Sequence, residues 1–254
     1  MGTWDPDDKT CTLNMDLPDT CIDITDDDVT LKCDGHTIDG DGTGEGVIVD
    51  NQDGVSIQDF VLEDFQHGIF IEDSQDCEIL NNTVGGSLSD HTDTAIFIDN
   101  TDGCTIRDNT VTFSVISIFL AGSDDNVING NRLADTTDHC LLLTASDSND
   151  IMENDIDRCG KTILTCSNSI GPESTAAGNG IHLINGSDNN IIIKNDSDFN
   201  ADDGYEVDGT GNKVRKNDAD FKSFRGFYIG DTSTQCKKYT GTGNVLEFSN
   251  VDCD

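Results

Sequence analysis

The chain has 254 residues, of which 34% are hydrophobic, so it can bury a sizeable core and wholesale disorder is excluded. Its 50 Asp and Glu residues against 14 Lys and Arg give a formal charge of −36, which disfavours nucleic acids and anionic membranes as partners. So acidic a surface needs salt or divalent cations for screening, and a halophilic protein and a calcium-loaded one both fit this composition.

Cysteine content and hydropathy indicate the compartment. Ten cysteines occur without a CxxC pair or a His/Cys cluster typical of zinc, so we predict disulfides formed in an oxidising environment. The sequence contains no run of 18 apolar residues, so it predicts no membrane-spanning helix. The N-terminal residues lack the charged and apolar regions of a signal peptide, so we expect a secreted, periplasmic or cell-surface protein whose signal has been removed. Calcium is the one cofactor that the composition leaves open, and its ligands are not identifiable.

The N-terminal segment, residues 1–28, is predicted to cap the fold. A stack of parallel strands needs covered ends, because an open end exposes unpaired strand edges. Cys11, Cys21 and Cys33 are assigned to this cap, which we expect disulfides to tie together.

A repeat occupies the central part of the chain, residues 29–232. GIFIEDSQDCEILNNTV (68–84) returns as AIFIDNTDGCTIRDNTV (95–111), and apolar residues alternate within each unit, as in strands. Asn, Asp, Gly and Ser fill the gaps, as turns require. A unit of about 22 residues predicts one coil of a parallel β-helix.

One polar position marks the register of the coils, and we predict that its side chains stack as a ladder along the turns. The Asn at this position is expected to bond the backbone of a neighbouring coil, and Phe60 is expected to fill the position in one coil. The predicted register residues are Asp34, Asn82, Asn109, Asn131, Asn154, Asn195 and Asn217.

The coil geometry also predicts contacts between cysteines. Cys77 and Cys104 stand at equivalent positions on adjacent coils about 4.8 Å apart, which permits either a disulfide or a stack of thiols. Cys159 and Cys166 are predicted to close a loop inside a long insertion at about 157–179. Residues 233–254 are predicted as a C-terminal cap stapled by Cys236 and Cys253.

TLKCDGHTIDGDGTGEGVIV (30–49), followed by GIxI, NxI and NxxV units, resembles the right-handed parallel β-helix superfamily, which is pectin-lyase-like, and in particular its NosD-like repeat proteins. The resemblance implies an all-β, single-domain solenoid over 1–254. The superfamily includes polysaccharide lyases, alginate epimerases, glycoside hydrolases, phage tailspikes, a copper-site maturation factor and surface proteins, so the resemblance does not choose a function.

Some short motifs are similar to those of enzymes in that superfamily. NTDG (100–103) and the pair Asp124 and Asp125 are similar to polygalacturonase motifs, but the histidine motif and the RIK segment of those enzymes are missing. SDHTDT (89–94) and TTDHC (136–140) are weakly similar to the DPH motif of alginate epimerases, and both lack the Pro. We therefore interpret NTDG and the Asp pair as turns, and assign no catalytic role to the two His-bearing stretches.

Strand alternation places one residue of every coil on the outside of the same sheet. This outward column is apolar at its lower end and polar at its upper end, which is unusual for a solvated strand. The outward column consists of Ile48, Phe70, Phe97, Phe119, Leu142, His182, Glu206 and Tyr228.

The upper end of the outward column suggests proton-transfer chemistry. His182, Glu206 and Tyr228 lie on three consecutive coils, and we predict them to be catalytic together with Asp203 and Arg225 at the rim of a groove. The predicted substrate-binding residues are Phe70, Phe97 and Phe119 as a stacking platform for sugar rings, with Asn179 and Lys161.

Two functions follow from this pattern. The first is a secreted carbohydrate-active protein that acts on a polysaccharide by lyase or epimerase chemistry in a groove on the outward face. The second is a non-catalytic surface or structural β-helix, such as an adhesin, an envelope component or a fibre subunit that self-associates through the Phe row. Because the protein is strongly negative, it repels a uronate polymer. Binding of such a polymer requires screening by salt, the positive charges of Arg225 and Lys161, or bridging calcium ions.

Overall fold

The computed structural model describes residues 2–86, 92–160, 178–219 and 226–229, and the backbone of three further strands near the C-terminus. All regular structure in these residues is β, and none of it is a helix that could cross a membrane. The strands are numbered in chain order. The first ten are β1 (Gly2–Asp5), β2 (Thr10–Leu13), β3 (Leu17–Pro18), β4 (Ile22–Ile24), β5 (Thr30–Lys32), β6 (Thr37–Asp39), β7 (Glu45–Asp50), β8 (Ser56–Gln58), β9 (Val61–Glu63) and β10 (His67–Glu72).

The next ten are β11 (Glu78–Leu80), β12 (Thr83–Gly85), β13 (Thr92–Asp99), β14 (Thr105–Arg107), β15 (Thr110–Thr112), β16 (Ser114–Ala121), β17 (Val127–Asn129), β18 (Arg132–Ala134), β19 (Leu141–Thr144) and β20 (Asp150–Met152). The last ten are β21 (Asp155–Asp157), β22 (Ile181–Ile184), β23 (Ile191–Ile193), β24 (Asp196–Asp198), β25 (Tyr205–Val207), β26 (Lys213–Arg215), β27 (Phe227–Ile229), β28 (Gln235–Lys237), β29 (Leu246–Phe248) and β30 (Asp252–Cys253).

These strands form three sheets that run along the molecule. The first sheet has the order β1, β2, β5, β8, β11, β14, β17, β20, β23, β26, β28, β30. The second sheet runs β29, β27, β25, β22, β19, β16, β13, β10, β7, β4, and the third runs β24, β21, β18, β15, β12, β9, β6, β3. Each coil contributes one strand to the first, then the third, then the second sheet. The protein is therefore a right-handed parallel β-helix of about eight turns.

The N-terminal end is closed by a hairpin. Strands β1 and β2 pair antiparallel, whereas the other pairings between described strands are parallel. Cys11, Cys21 and Cys33 are free thiols, so the expected disulfides among them are wrong for this end. The hairpin itself supplies backbone partners for the edge of the first sheet, which removes the need for a covalent tie.

Strand alternation fills the interior with apolar side chains. Alternation with the outward column places Ile69, Ile96, Ile118, Leu141 and Ile181 on the inward side, and all five are fully buried. Burial of so many branched side chains in stacked columns supplies the hydrophobic free energy that a chain with this charge needs to fold.

The predicted Asn ladder lies at the corner between the first and third sheets. The side-chain oxygen of each Asn accepts the backbone N–H of the equivalent residue one coil earlier, at 2.9 to 3.0 Å from Asn82 to Asn217. Phe60 fills the position before Asn82 and donates its N–H to the Asn82 side chain at 3.0 Å. The prediction is confirmed for these residues.

Asp34 does not belong to the ladder, and its assignment as a register residue was wrong. It is exposed and adopts a left-handed backbone with φ of 52°. The first coil has extra residues at this corner, so the carbonyl of His36, not that of Asp34, pairs with Val61 N–H at 3.2 Å.

Two further ladders close the corner between the second and first sheets. In one, hydroxyl groups accept backbone N–H groups from the preceding coil, and in the other Asn amides do so. The hydroxyl ladder consists of Ser74, Thr101, Ser123, Ser146 and Ser187. The second Asn ladder consists of Asn126, Asn149, Asn190 and Asn212. The corner between the third and second sheets is the one from which the long insertion departs.

The described disulfide joins Cys140 and Cys159, with Cα atoms 5.4 Å apart. The predicted bridge from Cys159 to Cys166 was therefore wrong. The two bonded residues are 19 positions apart, almost one full coil, and this brings them side by side at one corner. Cys77 and Cys104 are buried free thiols, which is the thiol-stack alternative.

Two other predicted cysteines, Cys236 and Cys253, are not tested by these contacts, and Cys166 loses its predicted partner to Cys140. Cys166 lies outside the described residues. Cys236 and Cys253 are register partners on the neighbouring strands β28 and β30, but only their backbone is described, so the C-terminal staple remains a prediction.

Candidate active site

The outward column has the composition and register predicted for it. Strand pairing aligns Ile48, Phe70, Phe97, Phe119 and Leu142 along the second sheet, and continues the alignment to His182, Glu206 and Tyr228. All eight side chains are partly exposed, whereas the residues on either side of each are buried.

The aromatic part of the column is a stack of rings. The rings of Phe97 and Phe119 lie 4.9 Å apart with planes only 4° from parallel, and Phe70 and Phe97 are 5.2 Å apart and tilted. Parallel rings this close contact each other face to face, because coplanar rings would overlap. Phe97 and Phe119 therefore turn one ring face toward each other, and those two faces are not available to a sugar. This arrangement differs from the predicted stacking platform, which would present ring faces to a sugar.

The upper part of the column holds a hydrogen-bonded cluster. His182 Nε2 lies 3.3 Å from Glu206 Oε2, and Asn179 Nδ2 donates to the same carboxylate oxygen at 2.5 Å. His182 Nδ1 lies 3.2 Å from His139 Nε2, and the two imidazole rings are 4.6 Å apart. His139 Nδ1 accepts the backbone N–H of Asn179 at 3.0 Å. The two imidazoles, the Glu206 carboxylate and the Asn179 amide thus form one cluster, which is called the histidine cluster below. Hydrogen bonds from Asn179 and between the imidazoles, and the 3.3 Å contact of His182 with Glu206, connect it.

The cluster is mostly but not fully enclosed. The side chains of His139, His182 and Glu206 are 12%, 15% and 23% exposed, so the carboxylate is the most accessible of the three. Tyr228 is the register partner of Glu206 on the next coil and is partly exposed on the same face. A ligand approaching this face would meet Glu206 and Tyr228 before the imidazoles.

Burial changes the protonation of the cluster. Burial lowers the pKa of His139 to about 4, and the nearby His182 acts in the same direction. Burial also lowers the pKa of His182, although the charge of Glu206 opposes this shift. Asp138, with its Oδ1 3.5 Å from His139 Nε2, has its pKa raised by burial. Both imidazoles are therefore neutral near pH 7.

Two predicted site residues are buried and do not lie on a rim. Asn179 is 1% exposed and Asp203 is 0% exposed. Asn179 Oδ1 accepts the backbone N–H of Asp203 at 2.9 Å, which satisfies a buried donor where the chain turns into the second sheet. The demand for this backbone partner, not the alternation of the strand, turns the Asn179 amide inward. Asn179 consequently supports Glu206 and does not face solvent.

Arg225 and Lys161 lie outside the described residues, as does most of the insertion predicted to wall a groove. Two open cavities, of about 450 and 270 Å³, lie near the N-terminal end beside Asp34 and Phe65 respectively. Neither is lined by residues of the histidine cluster. The predicted groove therefore remains a prediction.

Sequence reasoning missed His139. Its segment, TTDHC, is weakly similar to an epimerase motif but lacks the Pro of that motif, so no role was assigned to it. A signal was nevertheless present: His139 stands three residues before Leu142 of the outward column, as Asn179 stands three before His182. Applying that spacing to every coil would have placed His139 beside Asn179.

The described residues do not fit a metal centre. No group of three or more His, Cys, Asp and Glu side chains in this part of the chain is arranged to hold a metal ion. The two imidazoles hydrogen-bond to each other, and His139 also accepts the backbone N–H of Asn179. We therefore derive no chemistry through a bound metal, and calcium remains only an expectation from composition.

Comparison with known proteins gives one family match. The family model described as periplasmic copper-binding protein (NosD) matches residues 25–173, more than half of the chain. A comparison with curated protein sequences finds no match.

Solved structures with the same architecture include carbohydrate-active and surface proteins. A variant of the periplasmic alginate epimerase AlgG has a TM-score of 0.60 at 12% identity, covering 98% of this chain and 66% of that chain, so the present chain spans just under two thirds of the epimerase. The alginate lyase from Paenibacillus sp. has a TM-score of 0.53 at 16% identity, covering 75% and 70%. The Streptococcus pneumoniae surface protein and adhesin PfbA has 0.55 at 12%, covering 91% and 75%. At these identities the likeness shows the fold alone.

Proposed function

The chain belongs to the NosD family, and we propose that it is an extracytoplasmic carbohydrate-active protein that moves a proton on a polysaccharide at the upper end of the outward column. The periplasmic description of the family supports the location. The alginate epimerase and lyase of similar fold suggest the first substrates to test, which are polymers of uronic acids. The copper named in the family description has no fitting cluster among the described residues, so no copper-dependent step is proposed.

One observation carries the proposal: Glu206 accepts a hydrogen bond from Asn179, lies beside His182 and has a Tyr as its neighbour on the next coil. Asn179 Nδ2 and His182 Nε2 both reach Glu206 Oε2. Glu206 and Tyr228 are register partners, so their backbones lie about 4.8 Å apart. A carboxylate and a phenol so close can act on opposite sides of one sugar ring.

The chemistry assigned to these groups is proton abstraction next to a carboxylate. The Glu206 carboxylate takes the proton from the carbon that bears the sugar carboxylate, and becomes a neutral carboxyl group. The electron pair left behind is delocalised into the sugar carboxylate. In a lyase it then expels the neighbouring glycosidic oxygen, which Tyr228 protonates. In an epimerase Tyr228 returns a proton to the opposite face of the same carbon.

Electrostatics sets a condition on this activity. A uronate polymer approaching a protein of formal charge −36 is repelled at low ionic strength, and the repulsion is screened within about 3 Å in 1 M salt. Arg225 lies outside the described residues and keeps its predicted role of neutralising the sugar carboxylate. Assays therefore need molar salt as well as millimolar calcium.

The test is incubation with a panel of polyuronates, read by absorbance at about 235 nm for unsaturated products and by NMR of the polymer for epimerised ones. The wild-type protein should change at least one polymer, and Glu206→Gln and Tyr228→Phe should each remove most of that activity. Glu63→Gln is the matched control, because Glu63 is an exposed Glu on the third sheet, away from the outward column. Equal activity of wild type and Glu206→Gln would refute the assignment.

A second candidate function rests on the stacked rings. Phe97 and Phe119 turn one ring face toward each other, and such an apolar ridge suits contact with another protein chain better than with a sugar. The similarity in fold to an adhesin is consistent with a surface role. Sedimentation at increasing concentration in molar salt, with Phe97→Ser as the comparison, tests whether the ridge mediates self-association.

A further inference from the structure

The hydrogen bonds of the histidine cluster have a fixed direction, which starts at a backbone group. The N–H of Asn179 can only donate, and its acceptor is His139 Nδ1 at 3.0 Å. A neutral imidazole carries one proton, so a His139 that accepts at Nδ1 carries its proton on Nε2. The backbone of Asn179 thereby selects the tautomer of His139.

The same logic passes to the next ring. His139 Nε2 faces His182 Nδ1 at 3.2 Å, so the proton on His139 is donated and His182 Nδ1 accepts it as a hydrogen bond. His182 then carries its own proton on Nε2, and this nitrogen lies 3.3 Å from Glu206 Oε2. Each donor in this sequence meets an acceptor, and no atom is required to serve as both.

The amide of Asn179 closes the arrangement from the other side. Its oxygen accepts the backbone N–H of Asp203 at 2.9 Å, which orients its nitrogen toward Glu206 Oε2 at 2.5 Å. Asn179 thus donates at both ends of the cluster: its backbone N–H donates to His139, and its side-chain amide donates to Glu206. Glu206 Oε2 accepts the Asn179 amide N–H and has His182 Nε2 3.3 Å away.

Charged groups around the cluster preserve this direction. Asp138 Oδ1 lies 3.5 Å from His139 Nε2 and offers a second acceptor for the same proton. The negative charges of Glu206, Asp208, Asp138 and Asp202 act on His182, but burial outweighs them and favours its neutral form. With both rings neutral, each has a single N–H to place.

We propose that His139 and Asn179 are positioning residues that hold His182 as its Nε2–H tautomer against Glu206, so that the carboxylate and not an imidazole faces the substrate. The catalytic consequence rests on the proposed function. His182, which the sequence suggested as a proton-transfer group, has both nitrogens engaged within the protein. Its role becomes that of a donor that supports the Glu206 carboxylate.

The direct test is nitrogen NMR of protein labelled with ¹⁵N-histidine, at pH 7. The chain has five histidines, and single substitutions assign their signals. In the wild type, the rings of His139 and His182 should each show a protonated Nε2 and an unprotonated Nδ1. A His182 with its proton on Nδ1 would overturn the proposal; the tautomers are read from the wild-type protein, and the variants serve only to assign the signals.

Variants of His139 test which residue sets the tautomer. His139→Leu removes both hydrogen bonds and should give a mixture of His182 tautomers, whereas His139→Gln can still donate to His182 Nδ1 and should keep the Nε2–H form. His36→Gln is the control, because His36 pairs with Asp16 far from this face. An unchanged His182 tautomer in His139→Leu would refute the positioning role.

An activity measurement separates this proposal from the proposed function. If a polyuronate substrate is found, His139→Leu should lower kcat by about tenfold or more, with His139→Gln retaining most of it. If no polymer on the panel is changed while the tautomers are as expected, the proposed function fails and the arrangement of His139, His182 and Glu206 stands.

Discussion

Asn109 and Asn131 lie on adjacent coils, and one oxygen joins them: Asn131 Oδ1 accepts both the backbone N–H and the side-chain N–H of Asn109 at 3.0 Å. Asn131 Nδ2 in turn donates to the Ile106 carbonyl at 2.9 Å. Asn131 is 1% exposed, so water cannot replace these partners. Each ladder residue thus satisfies buried polar groups that the coil stacking itself creates.

Replacing Asn131 with Ala should destabilise the protein by about 2–4 kcal/mol, because at least two buried backbone groups lose their partners at ~1–3 kcal/mol each. The measurement is the denaturant midpoint of unfolding, with Asn129→Ala as the control. Asn129 is in the same coil but on the partly exposed face of β17. Comparable losses in the two variants would show that the ladder contributes nothing beyond ordinary packing.

The sequence predicted the coil repeat, the inward columns and the outward column, because strand alternation and coil length are both local features. It also located the Asn ladder, since an Asn that recurs at intervals of 22 or 23 residues is typical of stacked coils. It misplaced Asp34, because extra residues in the first coil shift the register. Asn179 and Asp203 were expected at the surface, but backbone hydrogen bonding at the corner, which no local pattern reveals, buries them.

Two contacts, one disulfide and one between imidazoles, were not predicted from the sequence. Cys140 and Cys159 are 19 positions apart, so nearly one full coil separates them along the chain. The sequence spacing alone did not suggest that they are bonded. The contact between His139 and His182 joins neighbouring coils, and it was missed because the two residues are 43 positions apart, on opposite sides of the long insertion. Only the register of the second sheet brings these residues together.

The disulfide should contribute measurably to stability. Closing a loop with a sequence separation of 19 restricts the unfolded chain by about 3 kcal/mol. We expect a Cys140→Ala and Cys159→Ala double variant to lose stability on that order in denaturant unfolding. Cys21→Ala is the control, because Cys21 is an exposed free thiol. A loss below about 1 kcal/mol in the double variant would contradict the expected stabilisation.

His139 should make folding stability depend on pH. Its pKa is about 4 in the folded protein against 6.5 ordinarily, so between these values the unfolded chain binds more protons. The stabilisation is complete above pH 6.5 and is lost as the pH falls toward 4, an effect of about 2–3 kcal/mol. The unfolding free energy of wild type should therefore fall more over this range than that of His139→Gln. Parallel pH profiles would contradict the lowered pKa.

Salt should stabilise the protein. The 50 acidic residues repel one another at low ionic strength, and screening or cation binding relieves this repulsion. We expect the melting temperature in low-salt buffer with chelator to lie about 5 °C or more below that in molar salt or millimolar calcium. Equal melting temperatures would mean that the acidic surface does not limit stability.

The central claim, that Glu206 abstracts a proton from a polysaccharide, is tested most directly by proton NMR of polyuronates incubated with the protein in D₂O and molar salt. We predict that wild type replaces the hydrogen next to the sugar carboxylate with deuterium, or removes it with formation of a double bond, and that Glu206→Gln does neither. The claim would be contradicted if every polymer kept that hydrogen in full after incubation with the wild-type protein. The comparison is made under conditions where Glu63→Gln and wild type are equally folded.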